Sequence, residues 1–375
     1  MGKTRGNIVR IGCCISGHGF GHATRAIAVM QALAERQDVC FEIVTPVPPW
    51  LFAQSLTAPH AVHPLETDVG LAQRSVLDED LPATLEALDH FYPLSTQRIE
   101  QAAALFAGCR LVLCDIAPLG ILAAKRASIP SVLVENFTWD WIYGGYVERW
   151  PRVQPHIDLL AALFAQADHH LQAKPVCCPH PCDRVVEPVA RRFRHPETVR
   201  PRLCCGPDQR LLLLTMGGVC REGQGRGAEI ALAPLLRRPD LVVVLPGRSR
   251  ENEFSENLRF LAQDGPWYHP DLMAAADLVV GKVGYSTVAE AYHAQTPFAY
   301  VGRRGFRESA SLEAFVDSHL YSWKIEEQEL QSGQWLDRLP PLPLRRQPPD
   351  RSTNGADQVA EYLLELLQRT NDAAS

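Results

Sequence analysis

The chain has 375 residues, 46% of them hydrophobic and 21% charged, and a formal net charge of −6. Its length exceeds what one core fills and implies two domains, its apolar content excludes general disorder, and its net negative field gives no footprint for nucleic acid. The 11 cysteines include Cys13 and Cys14 in IVRIGCCI and Cys114 in LVLCD, apolar runs in which cysteine behaves as a small buried hydrophobe.

Residues 7–15 (NIVRIGCCI) read as a buried strand, and residues 23–36 as a helix with Ala26, Val29, Met30 and Leu33 on one face. Residues 40–46 (CFEIVTP) form the next strand, which completes a βαβ unit with a glycine-rich first turn. The apolar run is broken by Arg10 and leads directly into that turn, so no secretory segment is read and a reduced, cytoplasmic setting is expected. The turn itself, GHGFGH, departs from the dinucleotide fingerprint. His22 stands where the last glycine is needed, and the second strand ends in Thr45 and Pro46 without an acid to hold a ribose. What the turn offers is backbone N–H groups and two imidazoles at the carboxyl end of the first strand, where open α/β sheets bind ligands. His22 and His18 can each accept a proton from a hydroxyl, and can equally serve as a helix cap and a packed turn residue.

Further along, PVPPWLF (residues 46–52) hints at contact with an apolar group or a lipid surface. DED (residues 78–80) opens a helix, DLPATLEAL, and helix-start acids explain it better than a metal-binding Asp-x-Asp. RLVLCD, LGILAAKRA, IPSVLVEN and IDLLAALFAQAD alternate strand and helix, which predicts a parallel sheet covered on both faces. Trp139, Trp141, Tyr143, Tyr146 and Trp150, in residues 136–150, fit either stacking on a sugar ring or packing in the core. CCPHPCD (residues 177–183) offers Cys177, Cys178, His180 and Cys182, but no second pair at zinc-knuckle spacing follows. A rigid proline turn is therefore expected there, and no metal.

Residues 189–202 (VARRFRHPETVRPR) read as a solvated interdomain linker in preference to a phosphate-binding arm. Beyond it the alternation restarts. RLLLLTMGG, LVVVLPG, DLVVGK and PFAYVG are strands, with helices at AEIALAPLL, STVAEAYHAQ and SASLEAFVDSHL. RLPPLPLRRQPPDR (residues 338–351) is an irregular connector to a final helix, GADQVAEYLLELLQR, and no transmembrane span is read anywhere. The fold class expected is α/β, two doubly wound Rossmann-like domains facing a cleft. Residues 1–190 are expected to form the first domain, 191–350 the second, and 351–375 a helix returning to the first.

VVGKVGYST is not a Walker A sequence, since Val283 follows Lys282. Gly284, Ser286 and Thr287 sit where a helix begins, and N–H groups there attract phosphate. Glu290 follows Thr287 at capping-box spacing. On these motifs, residues 267–317 resemble the donor half of GT-B glycosyltransferases, particularly the UDP-sugar enzymes and the N-acetylglucosaminyltransferase of peptidoglycan synthesis. The resemblance implies that Gly284, Tyr285, Ser286 and Thr287 hold a diphosphate, that Glu290 binds the ribose hydroxyls and that Glu308 reads the sugar. Gly217 and Gly218, in TMGGV, either approach the same diphosphate or merely end a strand.

GFGHATRAIAVMQAL is similar to the first-domain loop of those enzymes, with His22 matching their histidine and Asp115 their orienting aspartate. GHGFGHATR, NFTWDWIY, PDLMAAADLVVGKVGY and NGADQVAEYLLE together resemble the amino-terminal glycosyltransferase-like region of plant L-arabinokinases. No glycine- and serine-rich kinase loop accompanies them, so sugar-kinase activity is not implied. The implied reaction takes a sugar from a UDP-sugar co-substrate to an unknown acceptor hydroxyl with inversion, using no metal and no other cofactor. His22 is the expected base and His18 its substitute, with Gly17, Gly19 and Gly21 letting the backbone approach the acceptor. A noncatalytic nucleotide-sugar-binding module is the competing reading, and peripheral membrane contact stays open.

Overall fold

A computed structural model describes residues 8–75, 77–217, 230–339 and 353–372, with side chains to residue 369. The chain divides into two compact units, one of residues 1–72, 80–190 and 353–375, the other of residues 73–79 and 191–352.

The first unit holds seven strands: β1 (Val9–Ile15), β2 (Val39–Val44), β3 (His60–His63), β4 (Val112–Asp115), β5 (Ser131–Glu135), β6 (His169–Ala173) and β7 (Arg184–Val186). They pair in parallel in the order β3-β2-β1-β4-β5-β6-β7. Consecutive residues Cys13, Cys14 and Ile15 are all fully buried, as a strand covered on both faces requires. The helix Phe20–Ala34 buries Ala26, Val29, Met30 and Leu33, and also Ile27, Ala28 and Ala32. It is apolar nearly all round because the helix Gly355–Asp372 packs on its outer side, burying Val359 and Leu363 and pairing Asp357 with Arg36 at 2.7 Å.

The second unit repeats the plan with β8 (Arg210–Thr215), β9 (Leu241–Ser249), β10 (Glu253–Ser255), β11 (Leu258–Ala262), β12 (Leu278–Lys282), β13 (Phe298–Val301) and β14 (Ser322–Lys324). The order is β10-β11-β9-β8-β12-β13-β14, parallel except for the β10–β11 pair. Leu212, Leu214, Val243, Val280 and Trp335 build its core, and Leu77 joins them from residues 73–79.

Each sheet has one point where the order reverses, between β1 and β4 in the first and between β8 and β12 in the second. Chains leave the two adjacent strands there in opposite directions and open a crevice at their carboxyl ends.

Several local expectations change. The stretch 189–202 is not simply solvated: Arg191 is buried on Glu290, Arg200 pairs with Asp277 at 2.7 Å, and Arg194 and Arg202 lie over the rings of Tyr268 and Trp267. Guanidinium groups that find carboxylates and aromatic faces give up water for them. Of the helix expected over residues 228–236, the described residues 230–236 hold only Ala233–Leu236 as helix, and residues 228–229 and Gly218 lie outside the described residues, as does most of the 338–351 connector. PVPPWLF becomes the short helix Pro49–Ser55, in which Leu51 and Phe52 belong to the core, so packing absorbs the apolar hint. Asp80 caps the helix Leu81–Phe91 by accepting from the Ala83 amide, as helix-start chemistry requires. Every described cysteine is free, and no described helix is long and apolar enough to cross a membrane.

Candidate active site

At the first switch point Ile15 of β1 lies opposite Asp115 of β4. The chain leaves β1 through Ser16, whose amide donates to the Asp115 carbonyl, and turns at Gly17 and Gly19. A side chain on Gly17 would overlap Pro46, and Gly19, at φ 76°, is the left-handed N-cap of the helix that follows. Gly21 lies in that helix's first turn, where its carbonyl accepts from the Thr24 hydroxyl at 2.9 Å. No side chain caps this helix, so His22 is not a cap.

His22 instead turns inward, with Nδ1 2.9 Å from Asp115 Oδ1. Arg25, one helical turn later on the same face, donates through Nε to Asp115 Oδ2 at 2.8 Å and through Nη2 to Oδ1 at 2.7 Å. Its other nitrogen donates to Asn136 Oδ1, just beyond β5. Burial works against the Asp115 charge, but Arg25 and the His22 hydrogen bond outweigh it and hold the carboxyl below its ordinary value. Nδ1 faces the Asp115 oxygen at 2.9 Å and, farther off, Arg25 Nη2 at 3.3 Å; the tautomer matched to the closer carboxylate, which only accepts, carries its proton on Nδ1 and its lone pair on Nε2. Arg25 ends the GHGFGHATR motif and Asn136 opens NFTWDWIY, but neither residue was given a role from sequence. The signal for Arg25 was its spacing of three from His22.

A second buried carboxylate, Asp68, accepts from Trp139 Nε1 at 2.6 Å and from the Thr67 hydroxyl at 3.1 Å. Burial pushes it above its ordinary value against those hydrogen bonds. Trp139 presents its ring edge-on to His18 at 5.1 Å, and Gly70 backs His18 so closely that a side chain there would overlap the imidazole. His18 is thus packed in the turn, between the Trp139 ring and Gly70. Trp139, Tyr143 and Tyr146 are buried and serve the core, leaving Trp141 and Trp150 partly exposed.

At the second switch point Thr215 of β8 lies opposite Gly281 of β12. Beyond these, Gly217 (φ 62°) and Gly284 flank the side chain of Lys282: a carbon added to Gly217 would lie 3.6 Å from Lys282 Cε, and one on Gly284 3.9 Å. Loss of water around the ammonium, then the neighbouring Arg303 charge, pull Lys282 down to about 7, with Glu308 and Glu79 opposing. Gly284 is the N-cap of the helix Tyr285–Ala294 and makes no side-chain cap, so Glu290 is not part of a capping box. Tyr285 and Thr287 are buried and Ser286 is partly exposed. Glu290, also buried, takes Arg191 Nε at 3.0 Å on one oxygen and His269 Nδ1 at 2.9 Å on the other. Burial opposes that charge and Arg191 and His269 more than restore it, so Glu290 is held below its ordinary value. Glu308 begins the helix Glu308–His319 and is buried. Lys282, Arg191 and His269 are the members of this region that motif reasoning missed.

No family model matches the chain. It is 29% identical over 364 residues to the L-arabinokinase of Arabidopsis thaliana, an alignment covering 94% of this chain and 34% of that protein. The chain therefore spans about a third of the length of the curated relative it matches. Among solved structures it is similar to the spinosyn forosaminyltransferase SpnP, with a TM-score of 0.57 at 15% identity over 97% of this chain and 95% of that one. It is also similar to Arabidopsis thaliana UGT89C1 complexed with UDP, with a TM-score of 0.57 at 13% identity over 96% and 98% of the two chains. Two doubly wound sheets, matched along nearly the whole chain by such structures, give this protein the GT-B fold of the glycosyltransferases.

Proposed function

We propose that this chain is a glycosyltransferase that moves a sugar from a nucleoside-diphosphate sugar, with uridine the favoured base, to an acceptor hydroxyl. The carrying observation is the His22–Asp115 pair at the first switch point, which leaves an imidazole lone pair on Nε2. The acceptor hydroxyl gives its proton to that nitrogen while its oxygen attacks the anomeric carbon. The bond from that carbon to the phosphate oxygen breaks, and the nucleoside diphosphate leaves with the electron pair. A single base on the acceptor side makes this one displacement, with inversion.

The second unit supplies the charge for the leaving group. Lys282 and the first-turn amides after Gly284 suit a diphosphate without a metal bound to it. Ser286 and Thr287 lie in that first turn, Gly217 borders it, and Glu290 and Glu308 are the groups proposed to read the ribose and the sugar. UDP in a similar structure, and glycosyl transfer in another's name, support the choice of donor. The arabinokinase likeness covers a third of that protein and adds no phosphoryl transfer to the proposal.

The test is a screen of nucleotide sugars against mixed acceptors, read as released UDP, with the anomeric configuration of the product determined by NMR. An inverted product and released UDP are expected. Saturable nucleotide binding with neither transfer nor release would leave a noncatalytic nucleotide-sugar module in its place.

A further inference from the structure

The proline turn set aside for lack of a second zinc knuckle meets other partners in three dimensions. His180 Nε2 lies 3.5 Å from Glu135 Oε1, at the end of β5, and His170 Nε2, from β6, lies 3.0 Å from the same oxygen. The ligand atoms of all three fall within 4.8 Å of one another. A tetrahedral metal with bonds of about 2.0–2.1 Å spaces its ligands about 3.3 Å apart, and the two measured separations bracket that edge.

The hydrogen bonds behind these groups aim them inward. His180 Nδ1 donates to the Pro181 carbonyl at 3.0 Å, which fixes the tautomer and turns the Nε2 lone pair toward Glu135. A neutral imidazole lone pair facing a carboxylate oxygen is repulsive, so a proton or a metal ion must lie between them. Gln172 Nε2 steadies the same oxygen, donating to Glu135 Oε1 at 2.8 Å and to the Cys178 carbonyl at 2.9 Å. The base of the turn is closed by His170 and Asp183, each amide bonding to the other residue. Glu135 is buried, His170 partly so and His180 exposed, so an ion has a path in from solvent.

We propose that Glu135, His170 and His180 form a divalent transition-metal site, suited to zinc, with its fourth position filled by water. Two imidazoles and one carboxylate are a zinc donor set, and three protein ligands leave a coordination position open. The site is separate from the proposed transfer chemistry. It ties the 177–182 turn to the end of β5, one residue before the Asn136 that holds Arg25.

The experiment uses the full chain, stripped with chelator and titrated with zinc chloride by calorimetry, and with cobalt(II) by visible absorption. One ion per chain, a four-coordinate cobalt spectrum displaced by zinc and a raised unfolding midpoint are expected. His180→Ala, on the exposed turn, and Glu135→Gln should each weaken zinc binding by at least about tenfold, with His180→Ala keeping the native circular dichroism. Zinc affinity unchanged in both variants, or lost only when Cys177, Cys178 and Cys182 become serine, would overturn the site.

Discussion

At the switch point of the first sheet β4 ends in Asp115, whose two oxygens are already taken by His22 and Arg25. At the corresponding place in the second sheet β12 ends in Lys282, whose side chain is flanked by two glycines, lies near another cation, and makes no ion pair among the described residues. The topology is shared and the electrostatics are opposite. A buried carboxylate with every oxygen matched is a fixed scaffold, since each partner would be left uncompensated without it. A cation short of counter-charge is a binding site in waiting, because an arriving anion restores its favoured protonation state. In the proposed reaction the first region positions a group and the second recruits one.

The largest effect expected from breaking this contrast is chemical. His22→Ala should lower turnover by about two to four powers of ten, the size of general-base catalysis, while UDP affinity stays close to native. Steady-state rates and calorimetry on the same preparation check both halves, and near-native turnover would remove His22 from the mechanism. Asp115→Asn should act on the scaffold as well as the rate. It leaves Arg25, 1% exposed, without its anion, and loss of one partner from a buried pair costs about 3–5 kcal/mol. Chemical denaturation should show that loss, alongside a fall in turnover smaller than that of His22→Ala.

Glu290 gives the middle-sized test, on the side that recruits. Glu290→Ala should weaken UDP binding by about 1.5–3 kcal/mol, roughly ten to a hundredfold, if the carboxylate accepts ribose hydroxyls. Both its oxygens already carry a protein donor, so the ribose would have to use the remaining lone pairs or displace His269. His269→Ala separates these routes: tighter UDP binding indicates displacement, and weaker binding indicates that His269 orients the carboxylate. Equal binding by the native protein and Glu290→Ala would end the ribose assignment.

Much of this frame was legible in the residues. The continuous apolar runs around Cys13, Leu113 and Val279 declared parallel strands, and the glycine turns after the first strand and at Gly284 marked the carboxyl ends of strands at the two switch points. What escaped is what depends on register and long-range pairing. The short strands at His60–His63, Glu253–Ser255 and Ser322–Lys324 carry half-exposed or exposed residues and show no run to read. Arg191 read as a linker charge because its partner, Glu290, lies 99 positions away. Glu135 and His170 meet only because β5 and β6 pair with Leu133 opposite His170, a register invisible along the chain. The spacing of His180 from its cysteine neighbours suggested a knuckle, and its actual partners are on other elements.

The smallest expected effect is the most direct probe of the recruiting region. Lys282 is lowered from an ordinary 10.5 to about 7 by burial and Arg303, against Glu308 and Glu79, so its ammonium is charged below about pH 7 and is lost above it. A diphosphate stabilises the charged form. UDP affinity should therefore fall as pH rises beyond 7, by at most about tenfold per pH unit, the limit for one linked proton. Binding near neutrality should take up a fraction of a proton, visible as a calorimetric enthalpy that changes with buffer ionisation heat. Stability carries the opposite sign. An unfolded lysine keeps its proton to about pH 10.5, so the folding penalty of this group is full below about pH 7 and fades as pH rises toward 10.5. Lys282→Arg keeps a charge at every pH in this range and should flatten the affinity profile between pH 7 and 9. Below pH 7 the UDP phosphate titrates as well, in native protein and variant alike, so the difference between the two curves above pH 7 isolates the lysine. Identical profiles would place the diphosphate away from Lys282 and remove the contrast between the two switch points.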